Sequence, residues 1–157
     1  MLARDVMDTR FHLLRPSDTL NEAVRVFAEA SRGEGRKIFG LMVVDDDDHL
    51  AGMLSMYDIL LFIQPKYMKI WGEMEDIDLD LLFPDLLEKA RSVRVGDIMT
   101  TEVVTTGPDS HILAVADVMV KRHIRRLPVT ENGRIIGIIY ISTIFNQLLN
   151  GFLTPAG

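Results

Sequence analysis

Apolar residues recur at helical spacing in two segments of the chain, and the two segments match each other. The residues that share the i, i+3, i+4, i+7, i+8 spacing are Leu20, Ala23, Val24, Phe27 and Ala28 in the first segment and Ile112, Val115, Ala116, Met119 and Val120 in the second. This spacing is typical of the apolar face of an amphipathic helix. Thr19 and Glu22 have the spacing of a capping box, and Asp109 and Ser110 offer similar cap chemistry before the second segment. The pattern predicts two equivalent helices.

After each helix the pattern changes to short runs of β-forming residues separated by turns. In chain order, the runs and turns are Leu41–Val44, Asp45–His49 and Gly52–Leu54 after the first helix, and Leu127–Thr130, Glu131–Gly133 and Gly137–Ile139 after the second. Asn132-Gly133 is a strong hairpin signal. A final apolar helix follows each hairpin, marked by Ile59, Leu60 and Ile63 or by Ile144, Phe145 and Leu148. A short strand is also predicted before the first helix of each segment, so each half of the pattern has the order strand, helix, strand, strand, helix.

The two sets form an internal repeat. Asp5-Val6-Met7 aligns with Asp97-Ile98-Met99 and Pro16 with Pro108, while the first repeat carries an insertion around Ser31–Arg36 that we expect to be a loop. Units of this size are marginal alone, so we expect them to pack together. The sequence predicts an α+β fold of two pseudo-symmetric repeats, each with a three-stranded sheet and two helices. The predicted domains are repeat 1 at 1–63, a linker at 64–92 and repeat 2 at 93–157.

The linker between the repeats has its own apolar pattern and contains an acidic segment, Glu73–Glu88. Its first apolar set follows Pro65 and comprises Tyr67, Ile70, Trp71 and Met74; its second lies near Pro84 and comprises Leu82, Phe83, Leu86, Leu87 and Ala90. Both sets have helical spacing. Between Glu73 and Glu88 there is no Lys or Arg. We expect an acidic helical linker that packs on the core as a strap; the alternative is a partner or dimer contact.

Composition narrows the functional classes. The 157 residues are 48% hydrophobic and 25% charged, as in ordinary globular domains, and outside the segment Glu73–Glu88 the chain has 17 basic and 16 acidic residues and is nearly neutral. A broad nucleic-acid-binding face is therefore not expected. Apolar stretches are too short to span a membrane, the N-terminus lacks a signal-peptide pattern and there are no cysteines. We expect a soluble cytoplasmic protein without a membrane partner. The four scattered histidines and the acidic Asp45–His49 turn predict no metal site.

The repeated pattern, with Arg125-Arg126-Leu127-Pro128-Val129 followed by Gly133-Arg134-Ile135-Ile136-Gly137-Ile138-Ile139, resembles the CBS domain, named for cystathionine β-synthase. The resemblance covers nearly the whole chain as a tandem pair. It implies a regulatory module that binds AMP, ADP, ATP or S-adenosylmethionine between its repeats and that associates as a homodimer. Family members also include modules without a detectable ligand, so the fold alone leaves function open.

The resemblance assigns a ribose site to repeat 1. The stretch Gly52-Met53-Leu54-Ser55-Met56-Tyr57-Asp58 matches the family's ribose motif, in which Ser55 and Asp58 hydrogen-bond the sugar hydroxyls. From spacing alone, Asp58 fits a helix cap equally well. Repeat 2 has Tyr140 and Thr143 at these positions. We therefore expect one nucleotide per chain, with the repeat 2 cleft empty.

Further ligand contacts are implied on two other segments. Arg125 and Arg126 lie where family members present cations to phosphates; the alternative is a solvated helix end. Phe11, His12 and Leu13, in the first strand, are candidates for an adenine wall, although strand residues there are also typical of core.

These features predict a non-enzymatic adenine-nucleotide sensor, with a role in energy sensing, that requires no cofactor and acts in trans on an unknown effector protein. The alternative is a ligand-free module for dimerisation and protein interaction, with the Trp71 region as its contact surface. A nucleotide hydrolase is disfavoured, because the sequence offers no candidate base and metal constellation.

Overall fold

The structure, a computed structural model, describes residues 1–35, 37–64 and 79–154. In chain order its elements are α1 (Ala3–Val6), β1 (Leu13–Leu14), α2 (Leu20–Glu34), β2 (Gly40–Val44), β3 (Leu50–Ser55), α3 (Met56–Ile63), α4 (Leu79–Arg91), α5 (Val95–Ile98), α6 (Ile112–Lys121), β4 (Arg126–Glu131), β5 (Arg134–Tyr140) and α7 (Ile141–Leu153). This mixture of helices and small sheets confirms the predicted α+β class. None of the described helices is long and apolar enough to cross a membrane.

The chain forms two compact units that do not follow the order of the repeats. One, here called the repeat-1 unit, contains His12–Asp47 and Ala51–Glu102; the other, the repeat-2 unit, contains Met1–Phe11, Asp48–Leu50 and Val103–Gly157. The opening residues of each sequence repeat therefore belong to the unit built mainly from the other repeat. The division at 1–63, 64–92 and 93–157 describes the repeats along the chain and stays a prediction about domains.

The repeat-1 unit is built on a three-stranded sheet in the order β1-β2-β3. Strand β1 runs parallel to β2, with Leu13 opposite Met42 and Leu14 opposite Val43. A core of buried aliphatic side chains packs α2 against this sheet, including Leu14, Leu20, Val43, Leu54 and Val95. Every residue of β2 is buried, which is the burial expected of a central strand covered on both faces.

Helix α2 begins as predicted but ends later than expected. The Thr19 hydroxyl accepts a hydrogen bond from Glu22 N at 3.2 Å, and Thr19 N donates to Glu22 Oε2 at 2.7 Å, which confirms the capping box. The expectation of a loop was wrong for Ser31–Glu34, because α2 continues through Glu34, while Arg36 lies outside the described residues. Gly35, with φ of 63°, supplies the left-handed turn that ends the helix. The insertion thus mainly lengthens α2 relative to α6.

The repeat-2 unit contains the antiparallel hairpin β4-β5, closed by Asn132 and Gly133 with φ of 53° and 78°. Two positive φ values are the signature of the predicted Asn-Gly turn. The third strand expected here is reduced to one bridge, in which Thr106 N donates to Pro128 O at 3.0 Å and Thr130 N donates to Thr106 O at 2.9 Å. Pro108 lacks an N–H group and follows two residues later, so the ladder gains no donor there.

The start of α6 differs from the expected Asp109 and Ser110 cap. His111 is the cap residue, and its Nδ1 atom accepts from Leu113 N at 3.2 Å. The Ser110 hydroxyl instead accepts from Thr106 Oγ1 at 2.8 Å. The core beneath α6 consists of buried apolar side chains: Ala3, Ile112, Val115, Met119, Leu127, Val129, Ile139 and Ile144.

The described part of the linker is one helix, α4, which contains Pro84. Ala90 is buried in the core of the repeat-1 unit, and Leu87 lines a groove with Ile59, whereas Phe83 is exposed. The predicted apolar face therefore packs at its C-terminal end. The first predicted apolar set, from Tyr67 to Met74, lies outside the described residues.

Candidate functional site

The end of β3 and the start of α3 form a tight polar turn. Ser55 is the N-cap of α3, and its Oγ atom accepts a hydrogen bond from Asp58 N at 3.1 Å. In return, Asp58 Oδ2 accepts from Ser55 N at 2.8 Å and from Ser55 Oγ at 2.9 Å. The two predicted ribose residues are thus brought together as a reciprocal capping box, with both side chains half-buried. The cap interpretation of Asp58 is confirmed.

A third residue, Thr100, completes this cluster from a distant part of the chain. Its hydroxyl donates to Asp58 Oδ1 at 3.3 Å, a long and therefore weak hydrogen bond. An ionised carboxylate has about four acceptor positions, and three donors within the chain already point at this one. Because Thr100 is exposed, its bond is the one that an incoming hydroxyl can replace most easily. The carboxylate is held in position while its outer oxygen remains reachable.

A close backbone approach sets the position of Thr100. Thr100 N donates to Met53 O at 2.9 Å, and Met53 N donates to Thr100 O at 2.9 Å. A Cβ atom on Gly52 would lie 2.7 Å from Thr100 O and 2.9 Å from Met99 Sδ, distances that real side chains do not tolerate. Glycine is therefore required at this position of the motif because the Met99-Thr100 segment crosses directly over it.

Sequence reasoning missed Thr100. Residues Met53 and Asp58 are near neighbours in the chain, but Thr100 lies more than forty residues away from Asp58. One signal was present: Thr100 directly follows the Asp97-Ile98-Met99 opening that defines the repeat. The equivalent residue in the first opening segment is Asp8, so one opening segment ends in a carboxylate and the other in a hydroxyl.

The predicted adenine wall is divided between the two units. His12 and Leu13 belong to the repeat-1 unit, whereas Phe11 belongs to the repeat-2 unit. His12 Nδ1 lies 3.4 Å from Glu34 Oε1, and the His12 side chain is 39% exposed while that of Glu34 is 9% exposed. The His12 ring, with its nitrogen atom next to the Glu34 carboxylate, therefore lies directly before β1. The adenine contact of these three residues stays a prediction.

Arg125 and Arg126 both belong to the repeat-2 unit. Arg126 starts β4, lies opposite Tyr140 in the β4-β5 ladder and is half-buried, whereas Arg125 is exposed. Burial lowers the pKa of the Arg126 guanidinium; the nearby Tyr140 opposes this and the charge of Arg125 adds to it. Arginine remains charged at physiological pH even so. Their role as phosphate ligands stays a prediction.

The start of α7 has the same backbone position as the start of α3 but different side chains. Tyr140 is its N-cap residue and makes no side-chain cap hydrogen bond. Thr143 is the third residue of α7, as Asp58 is of α3, and the first turn of α7 contains no acidic residue. The reciprocal capping box is therefore specific to repeat 1.

Comparison with known proteins agrees with this internal symmetry. The model of the CBS domain matches residues 3–65 and again residues 95–150. These two matches cover most of the chain, and the protein belongs to the CBS domain family, with two repeats in tandem.

Individual relatives support the same assignment. The chain is 29% identical to protein MJ1426 of Methanocaldococcus jannaschii, covering 95% of this chain and 92% of that protein. It is also 29% identical to the chloroplastic CBS domain-containing protein CBSX2 of Arabidopsis thaliana, covering 82% of this chain and 54% of that protein. The chain thus spans about half the length of CBSX2. A crystal structure of CBSX2 in complex with AMP superposes with a TM-score of 0.69 at 26% identity, covering 96% and 98% of the two chains.

Proposed function

We propose that this protein is a regulatory module that binds an adenine nucleotide, has no catalytic activity and acts in trans on a partner protein. The observation that carries the proposal is the Ser55–Asp58 capping box with Thr100 at its open side. The relative CBSX2, which has been crystallised with AMP, supports an adenine nucleotide as the ligand. AMP, ADP, ATP and S-adenosylmethionine share the ribose and the adenine, so all four are candidates.

In this proposal the ribose hydroxyls donate to the Asp58 carboxylate. Asp58 Oδ2 keeps its bonds to Ser55, so the carboxylate does not have to be ordered when the ligand arrives. The first ribose hydroxyl takes the remaining acceptor position, and the second replaces the 3.3 Å bond from Thr100. Because the second hydroxyl replaces an existing bond, the net gain is that of one charge-assisted bond, about 1.5 to 3 kcal/mol. Since the cap already holds Asp58 in place, most of this free energy appears as affinity.

The first test compares variants of Asp58 by calorimetric titration with AMP. Asp58→Ala should weaken binding about 10- to 100-fold, which corresponds to about 1.5 to 3 kcal/mol. Asp58→Asn keeps the shape and part of the cap but loses the charge, so it should weaken binding with a smaller fall in melting temperature. Asp117→Asn, which removes an exposed carboxylate on α6, is the matched control and should bind normally. Unchanged affinity in Asp58→Ala together with a lower melting temperature would show that Asp58 is only a cap.

A thermal-shift panel identifies the ligand. At about 100 times its dissociation constant, a ligand stabilises the folded state by about 2.7 kcal/mol. For a chain of this length that free energy raises the melting temperature by about 5 to 10 °C. AMP, ADP, ATP and S-adenosylmethionine are compared at equal concentration. The panel also separates this proposal from the second candidate function, since an interaction module responds to none of them.

One observation favours that second candidate, a ligand-free module for dimerisation and protein interaction. Leu60 and Leu61 on α3 are 61% and 64% exposed, and Phe145 on α7 is 59% exposed. Exposed apolar patches of this kind mark interfaces. Ile144, which the sequence pattern also assigned to this face, is buried in the core instead. The two functions are compatible, because a nucleotide-binding module can also be a dimer.

The test of this second function is the mass in solution. Light scattering should give twice the 17.7 kDa of one chain for a two-fold homodimer. Leu60→Glu should shift that mass toward the monomer, whereas the matched control Asp85→Lys on the exposed face of α4 should not. A monomer at micromolar concentration contradicts the dimer. The effector protein and the cytoplasmic location remain predictions from the sequence.

A further inference from the structure

An apolar groove lies between α2 and α3 in the repeat-1 unit, and its larger part has a volume of about 360 Å³. This part is lined by apolar side chains from both helices and from the segment before β2: Phe27, Ala28, Ile38, Met56, Ile59 and Leu60. Its lining also includes the Ser31 hydroxyl, which already accepts a hydrogen bond from Ile38 N at 3.3 Å. The groove therefore recognises a ligand mainly through apolar contact.

One end of the groove already holds a helix. Helix α4 packs against both α2 and α3, with Ala90 buried in the core and Leu87 lining a second, smaller part of the groove. The two parts share Val24 and Ile59, so the larger part continues the space in which α4 lies. The gap between α2 and α3 is therefore wide enough to accept a helix.

The rims of the larger part are apolar as well as its floor. Val24 is 50% exposed, Met56 is 44% exposed and Leu60 is 61% exposed. A small apolar ligand in the groove would leave these side chains in water, whereas a helix laid along the groove covers the floor and the rims together. Contiguous exposed apolar side chains of this kind mark interaction sites. The larger part of the groove therefore suits the apolar face of a helix.

Cations flank this larger part. Arg32 follows Ala28 by four residues, so the two side chains are neighbours on the surface of α2, and Lys37 directly precedes Ile38. Both cations are exposed, and neither forms an ion pair within the part of the chain that the structure describes. Their charge is therefore available to a binding partner.

The acidic residues of α2 do not neutralise these cations at the groove. Glu22 is held in the capping box at the other end of the helix. Glu34 is 9% exposed and lies 3.4 Å from the His12 ring. Glu29 follows Val24 by five residues, which places it about 140° around the helix, on the side turned away from the groove. The rim at Arg32 and Lys37 is therefore basic and favours an acidic partner.

We propose that the larger part of the groove between α2 and α3 binds an amphipathic helix of a partner protein, with acidic residues of that helix beside Arg32 and Lys37. The inference deepens the proposed function, on which it rests for the action in trans, because it names the surface and the kind of partner. A second copy of this chain fits less well, since a two-fold contact would bring one basic rim against another.

The test is fluorescence anisotropy with two synthetic helical peptides of about 15 residues. Both peptides carry leucine at positions i, i+3, i+4 and i+7, and the flanking positions are glutamate in one peptide and lysine in the other. The glutamate peptide should bind about 10-fold more tightly than the lysine peptide. Arg32→Glu/Lys37→Glu, which changes two exposed side chains, should reverse this preference. Equal binding of the two peptides by the wild type overturns the proposed partner.

A second variant places the peptide in the groove. Ala28→Glu puts a carboxylate at an exposed position of α2 that lines the groove, and it should weaken binding of the glutamate peptide about 10-fold or more. Ala114→Glu, at an exposed position of α6, is the matched control and should bind the peptide normally. Melting temperatures establish that both variants are folded. Unchanged binding in Ala28→Glu shows that the peptide binds elsewhere and overturns the inference.

Light scattering and titration with AMP separate this inference from the proposed nucleotide binding. Ala28→Glu should keep the AMP affinity and the mass of the wild type. If Ala28→Glu instead converts a dimer into a monomer, a second copy occupies the groove and the inference is overturned. If the wild type binds AMP but neither peptide, the helix site is wrong and the nucleotide function stands. If it binds the glutamate peptide but no AMP, the helix site stands and the nucleotide function fails.

Discussion

The helices that end the two repeats start on the same backbone but with different side chains. At α3, Ser55 caps the helix and Asp58 returns the bond, whereas at α7 the cap residue Tyr140 makes no side-chain cap bond. Behind both helices a glycine admits a methionine of an opening segment. The features that the two repeats share therefore belong to the close approach of the backbones, and the features that differ are the side chains of the cap residue and of the first helical turn.

The largest effect on stability should come from the close approach itself. Gly52→Ala places a Cβ atom 2.7 Å from a backbone oxygen, which cannot rotate away. We expect a loss of about 2 to 3 kcal/mol in the free energy of unfolding. Gly137→Ala meets the Met7 side chain, which can partly adjust, and should cost less. Urea denaturation measures both, with Gly107→Ala, which meets nothing within 4 Å, as the control. Equal losses would show that the two approaches are equally rigid.

A smaller effect should distinguish the two helix starts. Ser55→Ala removes the acceptor for Asp58 N and should cost about 1 kcal/mol of unfolding free energy. Thr143→Ala removes no cap residue, because Tyr140 holds that position in α7, and should change stability by less than half as much. Thermal unfolding without ligand compares the two variants. A larger loss for Thr143→Ala would contradict the finding that, of the two final helices, α3 has the side-chain cap and α7 does not.

A substitution in the part of α2 that is specific to the first repeat should increase stability. Gly33 lies inside the helix, and a Cβ atom there meets only His12 Cε1 at the ordinary distance of 3.9 Å. Gly33→Ala should therefore stabilise the protein by about 0.5 to 1 kcal/mol, since glycine disfavours helix interiors. Gly35→Ala, at φ of 63°, should instead destabilise it. A neutral or unfavourable Gly33→Ala would indicate a loop at this position rather than a longer helix.

The smallest effect concerns pH and the capping box at the start of α2. The backbone hydrogen bond from Thr19, followed by the bond from its side chain, lowers the pKa of Glu22 below 4.5. Because the folded pKa is the lower one, the stabilisation is complete above the unfolded pKa and is lost as pH falls through the folded value. Thermal unfolding from pH 6 to pH 3 should show a shallower loss for Glu22→Gln. If the melting temperature of Glu22→Gln depends on pH as steeply as that of the wild type, the hydrogen bonds between Thr19 and Glu22 do not contribute to the pH dependence of stability.

The repeat, its helices and its hairpin turn were predictable from the sequence because their signals are local. Helical spacing at Leu20–Ala28, the Thr19 capping box and the Asn132-Gly133 turn each depend on residues a few positions apart. The cap formed by Ser55 and Asp58, which are three residues apart, has the same kind of local signal, whereas their role in ribose binding rests on the family resemblance and stays a prediction. The exact end of α2 was missed, because the helical tendency of the insertion and the left-handed turn at Gly35 compete with the loop signal of its glycines.

Only the tertiary structure decided which residues meet across the chain. The contact of Thr100 with Asp58, and the matching bridge of Asp8 with Ile138, join residues that no periodicity relates. They arise because each opening segment packs against the final strand of the unit formed mainly by the other repeat, where a glycine allows the approach. Sequence alignment equates Asp8 with Thr100 and Asp58 with Thr143, but only the tertiary structure brings the Thr100 hydroxyl to 3.3 Å from the Asp58 carboxylate. These contacts depend on packing between residues far apart in the chain, so neither the spacing nor the composition of the sequence predicts them.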